Sequence, residues 1–120
     1  MNPKFTPGKN IAVKVPLHEF DRTVTFYRDI LGFEEVHLSS LDDNESVVFK
    51  FGDKNLWIDR HPGISQAEIW LEVVTDDIEA ASVYFEKNGA IRRDEIESLP
   101  EGFKGFWIAN PANIIHLITE

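Results

Sequence analysis

The sequence predicts an α+β fold in which a strand, a helix and three further strands follow one another twice. The segment FYRDILGF, residues 26–33, ends an apolar helical stripe at a glycine, and VYFEKNGAI, residues 83–91, repeats this pattern. Asn10 and Glu68, which begin two strands of alternating polarity, lie 58 positions apart. A repeat of about 55 residues therefore organises the chain, and neither copy can cover its own sheet alone.

The sequence of the first half of the chain predicts four strands and one helix. Residues 1–9 hold two prolines and a glycine, which indicate a loose arm. In the first strand, Ile11, Val13 and Val15 share one face, as expected of a half-buried strand. The predicted elements are a strand at 10–15, a helix at 19–31, strands at 33–37, 47–51 and 55–61, and a turn at 38–46.

The second half repeats this order. Asp76 is the predicted N-cap of the helix, and Glu79 three residues later completes a capping box. The predicted elements are strands at 67–74 and 90–93, a helix at 78–88, an acidic loop at 94–102 that could cover a pocket, and strands at 103–110 and 113–119. We therefore expect one domain over residues 1–120, with one module at about 10–61 and the other at about 67–119.

Composition narrows the functions that the chain can have. The 120 residues include no cysteine, which excludes disulfides and thiolate chemistry, and 21 acidic against 12 basic side chains give a formal charge of −9. This charge repels nucleic acid and anionic membranes and attracts cations, although acidity also serves solubility alone. No apolar run long enough for a membrane span or a signal peptide occurs, so we expect a cytoplasmic protein.

Three stretches resemble one known superfamily. VKVPLHEFDRTVTFYRDILGFEEV at 13–36, EIWLEVVTDDIEAA at 68–81 and FWIANPANIIHLITE at 106–120 are similar to the vicinal oxygen chelate proteins. That group includes glyoxalase I, ring-cleaving dioxygenases and bleomycin-resistance proteins. The resemblance implies a glyoxalase-like fold of two βαβββ modules, whose mixed sheet curls around a pocket, and a homodimer.

The resemblance also implies positions for metal ligands. They fall on Asn10, near Trp57 with Asp59 one pleat further on, on Glu68 and on His116. We expect Asn10, Trp57, Glu68 and His116 to share the strand faces opposite the aliphatic stripes. Asparagine is a weak ligand and tryptophan cannot coordinate, so Glu68 and His116 are the candidate catalytic and metal-binding pair, for Zn, Ni, Mn or Fe(II).

Aromatic and charged residues on the same faces predict a ligand pocket. Alternation assigns Trp57, Trp70 and Glu72 to the pocket side, and Lys14 and Trp107 are further candidates. Aromatic walls beside carboxylates suit a flat or cationic ligand. The alternatives are that the tryptophans fill the core or a dimer interface, and that Glu68 and Glu72 form a salt bridge, with Lys14 as the candidate partner.

Two functions remain open on the sequence alone. One is a binding protein, similar to bleomycin-resistance proteins, that sequesters a cationic or aromatic compound in an acidic, aromatic-lined pocket. The other is a metal-dependent lyase, isomerase or dioxygenase that acts on a small substrate with vicinal oxygens. The residues at Asn10 and Trp57 and the charge of −9 favour the binding protein, with the metal-dependent enzyme as the alternative. The sequence does not decide between modules that pair within one chain and modules that pair across a dimer.

Overall fold

A computed structural model describes residues 2–38, 41–42 and 44–120 of the chain. Two α-helices and eight strands lie within these residues, which confirms the α+β class. The turn predicted at 38–46 includes Ser39, Ser40 and Asp43, which lie outside the described residues. The elements are β1 (Phe5–Val15), α1 (Phe20–Thr25), β2 (Glu35–Val36), β3 (Ser46–Phe51), β4 (Lys54–Arg60), β5 (Glu68–Thr75), α2 (Ile78–Lys87), β6 (Ile91–Arg92), β7 (Gly105–Ala109) and β8 (Ile115–Thr119).

The chain divides into two compact units. The N-terminal unit is Lys9–Ile69, and the C-terminal unit is Trp70–Glu120 together with the residues up to Gly8. In the N-terminal unit the strand order is β2-β3-β4-β1, and in the C-terminal unit it is β5-β8-β7-β6. One pair in each unit is parallel, β1 with β4 and β5 with β8, so each unit contains mixed pairing. Among the described residues, neither helix has the length and apolarity needed to cross a membrane.

The core of the N-terminal unit lies between α1 and the sheet. Val15, Phe20, Val24, Phe49 and Ile58 form one buried cluster, and Ile11 and Val13 pack against it. The alternation predicted for the first strand is therefore confirmed, because its aliphatic residues face the helix.

The predicted helix at 19–31 is less regular than its pattern suggests. Only Phe20–Thr25 is α-helical, and the turn after it, Phe26–Ile30, is a π-helix. A π turn holds an extra residue and rotates the next residues about the helix axis, so Leu31 leaves the buried stripe and is 46% exposed. Gly32 then ends the helical segment at φ 70°, as predicted.

The N-terminal arm was predicted to be loose, and this was wrong. Strand β1 begins at Phe5, whose ring lies 5.1 Å from that of Phe85 and 5.9 Å from that of Tyr84. The backbone N–H of Lys4 donates to the carboxylate of Asp76 over 2.9 Å. Burial of an aromatic ring outweighs the local preference of Pro and Gly for irregular structure.

Helix α2 covers the core of the C-terminal unit, where Ile78, Ala81, Phe106, Ile108 and Ile118 are buried together. Its N-cap is one residue later than predicted. Asp77, not Asp76, accepts a hydrogen bond from the backbone N–H of Ala80, and Glu120 accepts one from that of Ile78. Gly89, at φ 78°, stands after the end of the helix as predicted.

Candidate functional site

Trp57 and Asn10 are joined on the face of the N-terminal unit that points away from α1. The indole Nε1 of Trp57 donates a hydrogen bond to Oδ1 of Asn10 over 2.8 Å, and Nδ2 of Asn55 donates to the same oxygen over 3.3 Å. A carbonyl oxygen has two lone pairs, and these two donors occupy them. The oxygen with which Asn10 would bind a metal ion is therefore already bound to the protein.

Lys14 and Asp59 form a buried ion pair on the same face. Their Nζ and Oδ2 atoms are 2.8 Å apart, and the two side chains are only 5% and 14% exposed. The hydroxyl of Ser46 donates to the other carboxylate oxygen over 2.7 Å. Both oxygens of Asp59 thus have a partner, and the charge of Lys14 is balanced within the unit.

The C-terminal unit has two tryptophans on the face that points away from α2. The rings of Trp70 and Trp107 meet edge to face with centroids 5.2 Å apart, and the residues are 3% and 5% exposed. Strand pairing sets Trp107 opposite Leu117, which fixes a register that the sequence left open. In this chain the two indoles fill a core, and their role as ligand contacts stays a prediction.

Glu72 lies on the same face as Trp70 and packs closely against Gly8. A Cβ atom added at Gly8 would lie 2.8 Å from the Cβ of Glu72, closer than two such atoms can approach. Glycine is therefore required where the arm passes this side chain. The predicted role of Glu72 in ligand binding also stays a prediction.

The acidic loop at 94–102 is attached to the edge of this tryptophan pair. The carboxylate of Asp94 accepts from the backbone N–H of Trp107, and the carbonyl of Glu97 accepts from its indole Nε1 over 2.9 Å. A hydrogen bond from Arg93 lowers the pKa of the Glu95 carboxyl. The first half of the loop is thus held in place by hydrogen bonds rather than poised as a separate flap.

His116 lies on the side of the sheet that faces α2. Strand pairing sets His116 opposite Leu71 and Ile118 opposite Val73, and the last two pack in the core beneath the helix. The expectation that His116 lies opposite the aliphatic stripe was therefore wrong. Strand β8 is apolar on both sides, so alternation alone does not reveal its inner face.

Two of the four positions that the resemblance assigns to metal ligands do not suit a metal ion. Asn10 is hydrogen-bonded within the protein, and Trp57 has no donor atom for a metal. Glu68 is exposed at the start of β5 in the N-terminal unit, whereas His116 belongs to the C-terminal unit. The residues of the first pair do not fit a metal centre, and the pair of Glu68 and His116 stays a prediction.

Three exposed carboxylates cluster at the start of α2. Oxygen atoms of Asp77, Glu79 and Glu120 all lie within 4.8 Å of one another, a spacing that is compatible with a divalent ion. However, Asp77 and Glu120 already accept backbone N–H groups of the first helical turn. Helix capping by negative groups accounts for this cluster.

Sequence reasoning missed a cleft in the C-terminal unit. It has a volume of about 630 Å³ and opens between α2 and the sheet. Phe5, Val73, Tyr84, Phe85, His116 and Ile118 are among its lining residues. The adjacent aromatics Tyr84 and Phe85, close to the glycine that ends the helix, were the available signal.

No protein-family profile and no curated protein matches the sequence. Solved structures do match. The Mn(II)-bound glyoxalase of Novosphingobium aromaticivorans superposes with a TM-score of 0.65 at 18% identity over 97% of this chain. A variant of homoprotocatechuate 2,3-dioxygenase from B. fuscum gives 0.65 at 16% identity over 98% of the chain. A glyoxalase/bleomycin resistance protein/dioxygenase superfamily member from Vibrio splendidus gives 0.58 at 15% over 90%.

These likenesses establish the fold. The chain spans 39% of the glyoxalase and 33% of the dioxygenase, but 95% of the Vibrio protein. The chain has the vicinal oxygen chelate fold, and the resemblance noted in the sequence is confirmed at that level. The fold alone does not determine a substrate or an activity.

Proposed function

We propose that this chain is a small-molecule-binding protein that sequesters a cationic or aromatic compound without a metal ion. The hydrogen bonds that Trp57 and Asn55 donate to Asn10 carry the proposal. Asn10 and Trp57 stand at two positions where relatives with this fold are expected to hold a metal ion. In this chain both residues belong to a hydrogen-bonded network instead. A protein that needed a metal there would present open oxygen or nitrogen donors.

Charge and aromatic content support a cationic ligand. The formal charge of −9 favours the approach of cations, and Glu68 and Glu72 are the carboxylates that the sequence assigns to the pocket. The partly buried indole of Trp57 offers a π face, which attracts a cation with an energy of about 0.5–2 kcal/mol.

A metal-dependent lyase, isomerase or dioxygenase is the second candidate. One observation favours it: the similar structures include a Mn(II)-bound glyoxalase and a dioxygenase. Glu68 and His116 are the residues that would have to hold the ion, because Asn10 is engaged by Trp57 and Asn55 and an indole cannot coordinate.

We also propose a homodimer. Several large apolar side chains are exposed in the single chain, among them Ile69 at 54% and Val83 at 66%. A second copy is one way to cover such surface. Light scattering coupled to gel filtration would show the mass of a dimer.

Metal titration separates the two functions. Melting temperature would be followed with Ni, Zn, Mn and Fe(II) against a chelator control, in the wild type and in a Glu68→Ala, His116→Ala variant. We expect no metal to raise the melting temperature. Stabilisation that is present in the wild type and lost in the variant would instead establish the metal-dependent alternative.

Ligand titration tests the binding function directly. Proflavine is a flat cation at neutral pH, and acridine is a similar flat molecule that is largely neutral there. We expect proflavine to quench tryptophan fluorescence at lower concentration than acridine, and a Glu68→Gln, Glu72→Gln variant to reduce this preference. Equal binding of the two dyes would contradict the role of charge.

A further inference from the structure

We propose that the cleft of the C-terminal unit is a second small-molecule site, for a neutral, flat aromatic compound that carries one O–H or N–H donor. The cleft lies on the α2 side of the sheet, whereas Trp70 and Trp107 lie on the other side. It is therefore separate from the pocket of the function proposed above, and it does not depend on that proposal.

The size and lining of the cleft suit a molecule of two or three rings. Its volume of about 630 Å³ is typical of small-molecule sites. Phe5, Tyr84 and Phe85 form an aromatic group in its wall, with ring centroids 5.1–6.2 Å apart. Aromatic groups at this spacing favour edge and offset contacts, which a flat ring can extend.

His116 supplies a hydrogen-bond acceptor in this apolar setting. Its Nδ1 atom lies 3.1 Å from the carbonyl oxygen of Ile114. A carbonyl oxygen can only accept, so Nδ1 carries the hydrogen, and Nε2 of the neutral ring is an acceptor. In the part of the chain that the structure describes, the His116 ring has no other hydrogen-bond partner.

Two other polar side chains that line the cleft make hydrogen bonds to the backbone. Nδ2 of Asn88 donates to the carbonyl of Tyr84 over 2.8 Å, and Oδ1 of Asn110 accepts from the backbone N–H groups of Ala112 and Ile114. The Nε2 acceptor of His116 therefore complements a hydrogen-bond donor on the ligand.

Charge on the ligand is disfavoured by the same lining. Among the described residues that line the cleft, none is Asp, Glu, Lys or Arg. A charged ligand would lose hydration there without gaining an ion partner. This is the opposite preference to that of the acidic pocket, so the two sites are distinguishable by ligand charge.

A matched pair of naphthalenes tests the inference on the wild-type protein. 2-Naphthol offers an O–H donor, and 2-methoxynaphthalene has the same rings but no donor. By calorimetry we expect 2-naphthol to bind about tenfold more tightly, as one hydrogen bond allows. Amide NMR shifts on its addition should concentrate at Asn88, Gly89 and Ala90 and along β8.

Two variants assign the preference to one residue. His116→Leu should bind both compounds with similar affinity, whereas His37→Leu, at an exposed histidine of the N-terminal unit, should keep the tenfold difference. Equal affinities in the wild type, absence of binding, NMR shifts away from the cleft, or the same loss in both variants would each overturn the inference. The wild-type comparison needs no variant to fold.

Discussion

The two units use the same strand register to support different chemistry. Lys14 of β1 pairs with Asp59 of β4, and Glu72 of β5 pairs with Leu117 of β8, and both pairs are 45 positions apart in the chain. In the N-terminal unit this position holds a buried ion pair. In the C-terminal unit Leu117 occupies the position that corresponds to Asp59. The packed indoles of Trp70 and Trp107 fill the same face.

The opposite, helix-facing side differs as well. Ile58, just before Asp59, is fully buried beneath α1, whereas His116, just before Leu117, is half-buried and lines a cleft. The N-terminal unit fills this position with an aliphatic side chain. The C-terminal unit has an imidazole there, in the wall of an open cleft. A shared backbone pattern therefore does not imply a shared site.

Ile58→His would transfer the imidazole of the C-terminal unit into the N-terminal unit, and we expect this change to have the largest effect. It removes a buried aliphatic side chain and places a polar ring in a closed apolar core, at a cost of about 4 kcal/mol. Urea unfolding would measure the loss. Ile30→His, at a side chain 71% exposed in the same unit, is the control and should change stability little. If the two variants lost similar amounts of stability, the core of the N-terminal unit would tolerate an imidazole in place of Ile58.

Asp59→Ala tests the ion pair and ranks second. Lys14 would stay buried without its carboxylate partner, and loss of one member of such a pair costs about 3 kcal/mol in the free energy of unfolding. Replacing both residues, Lys14→Met with Asp59→Leu, imitates an apolar solution and should recover most of the loss.

The matched control for the buried pair of Lys14 and Asp59 is an ion pair between exposed side chains. Glu34 and Lys50 lie 3.2 Å apart with side chains 70% and 60% exposed, so Glu34→Ala should cost about 0.5 kcal/mol at most. If Asp59→Ala were no more destabilising than Glu34→Ala, the buried ion pair would contribute little to the free energy of unfolding. The two units would then differ in the residue types at this position but not in what the position contributes to stability.

Local patterns predicted the features that depend on nearest neighbours. The alternation of β1 placed Ile11, Val13 and Val15 on the helix side, and Gly32 and Gly89 stand after the helices as expected. These features result from strand periodicity and from glycine's access to positive φ, both of which can be read from a few residues.

The predictions that failed depend on distant contacts. Asp76 was a sound N-cap by sequence, but it accepts from the N–H of Lys4, and Asp77 caps the helix instead. The face of His116 was not predictable, because Ile115, Leu117 and Ile118 make β8 apolar on both sides and only its pairing with β5 decides the matter. Of the candidate site, the grouping of Asn10 with Trp57 could be predicted, but not the hydrogen bond that joins them.

His116→Ile makes the C-terminal unit resemble the N-terminal one and has the smallest expected effect. Its partly buried position beside Ile118 and Val73 is apolar, so an isoleucine should add about 1 kcal/mol of stability and raise the melting temperature by roughly 3 °C. His37→Ile, at a side chain 76% exposed, is the control and should leave the melting temperature unchanged. A lower melting temperature for His116→Ile would mean that the hydrogen bond from its ring to Ile114 stabilises the unit more than apolar burial can. In that case the imidazole would be part of the fold of the C-terminal unit, and the cleft would be a consequence of that fold.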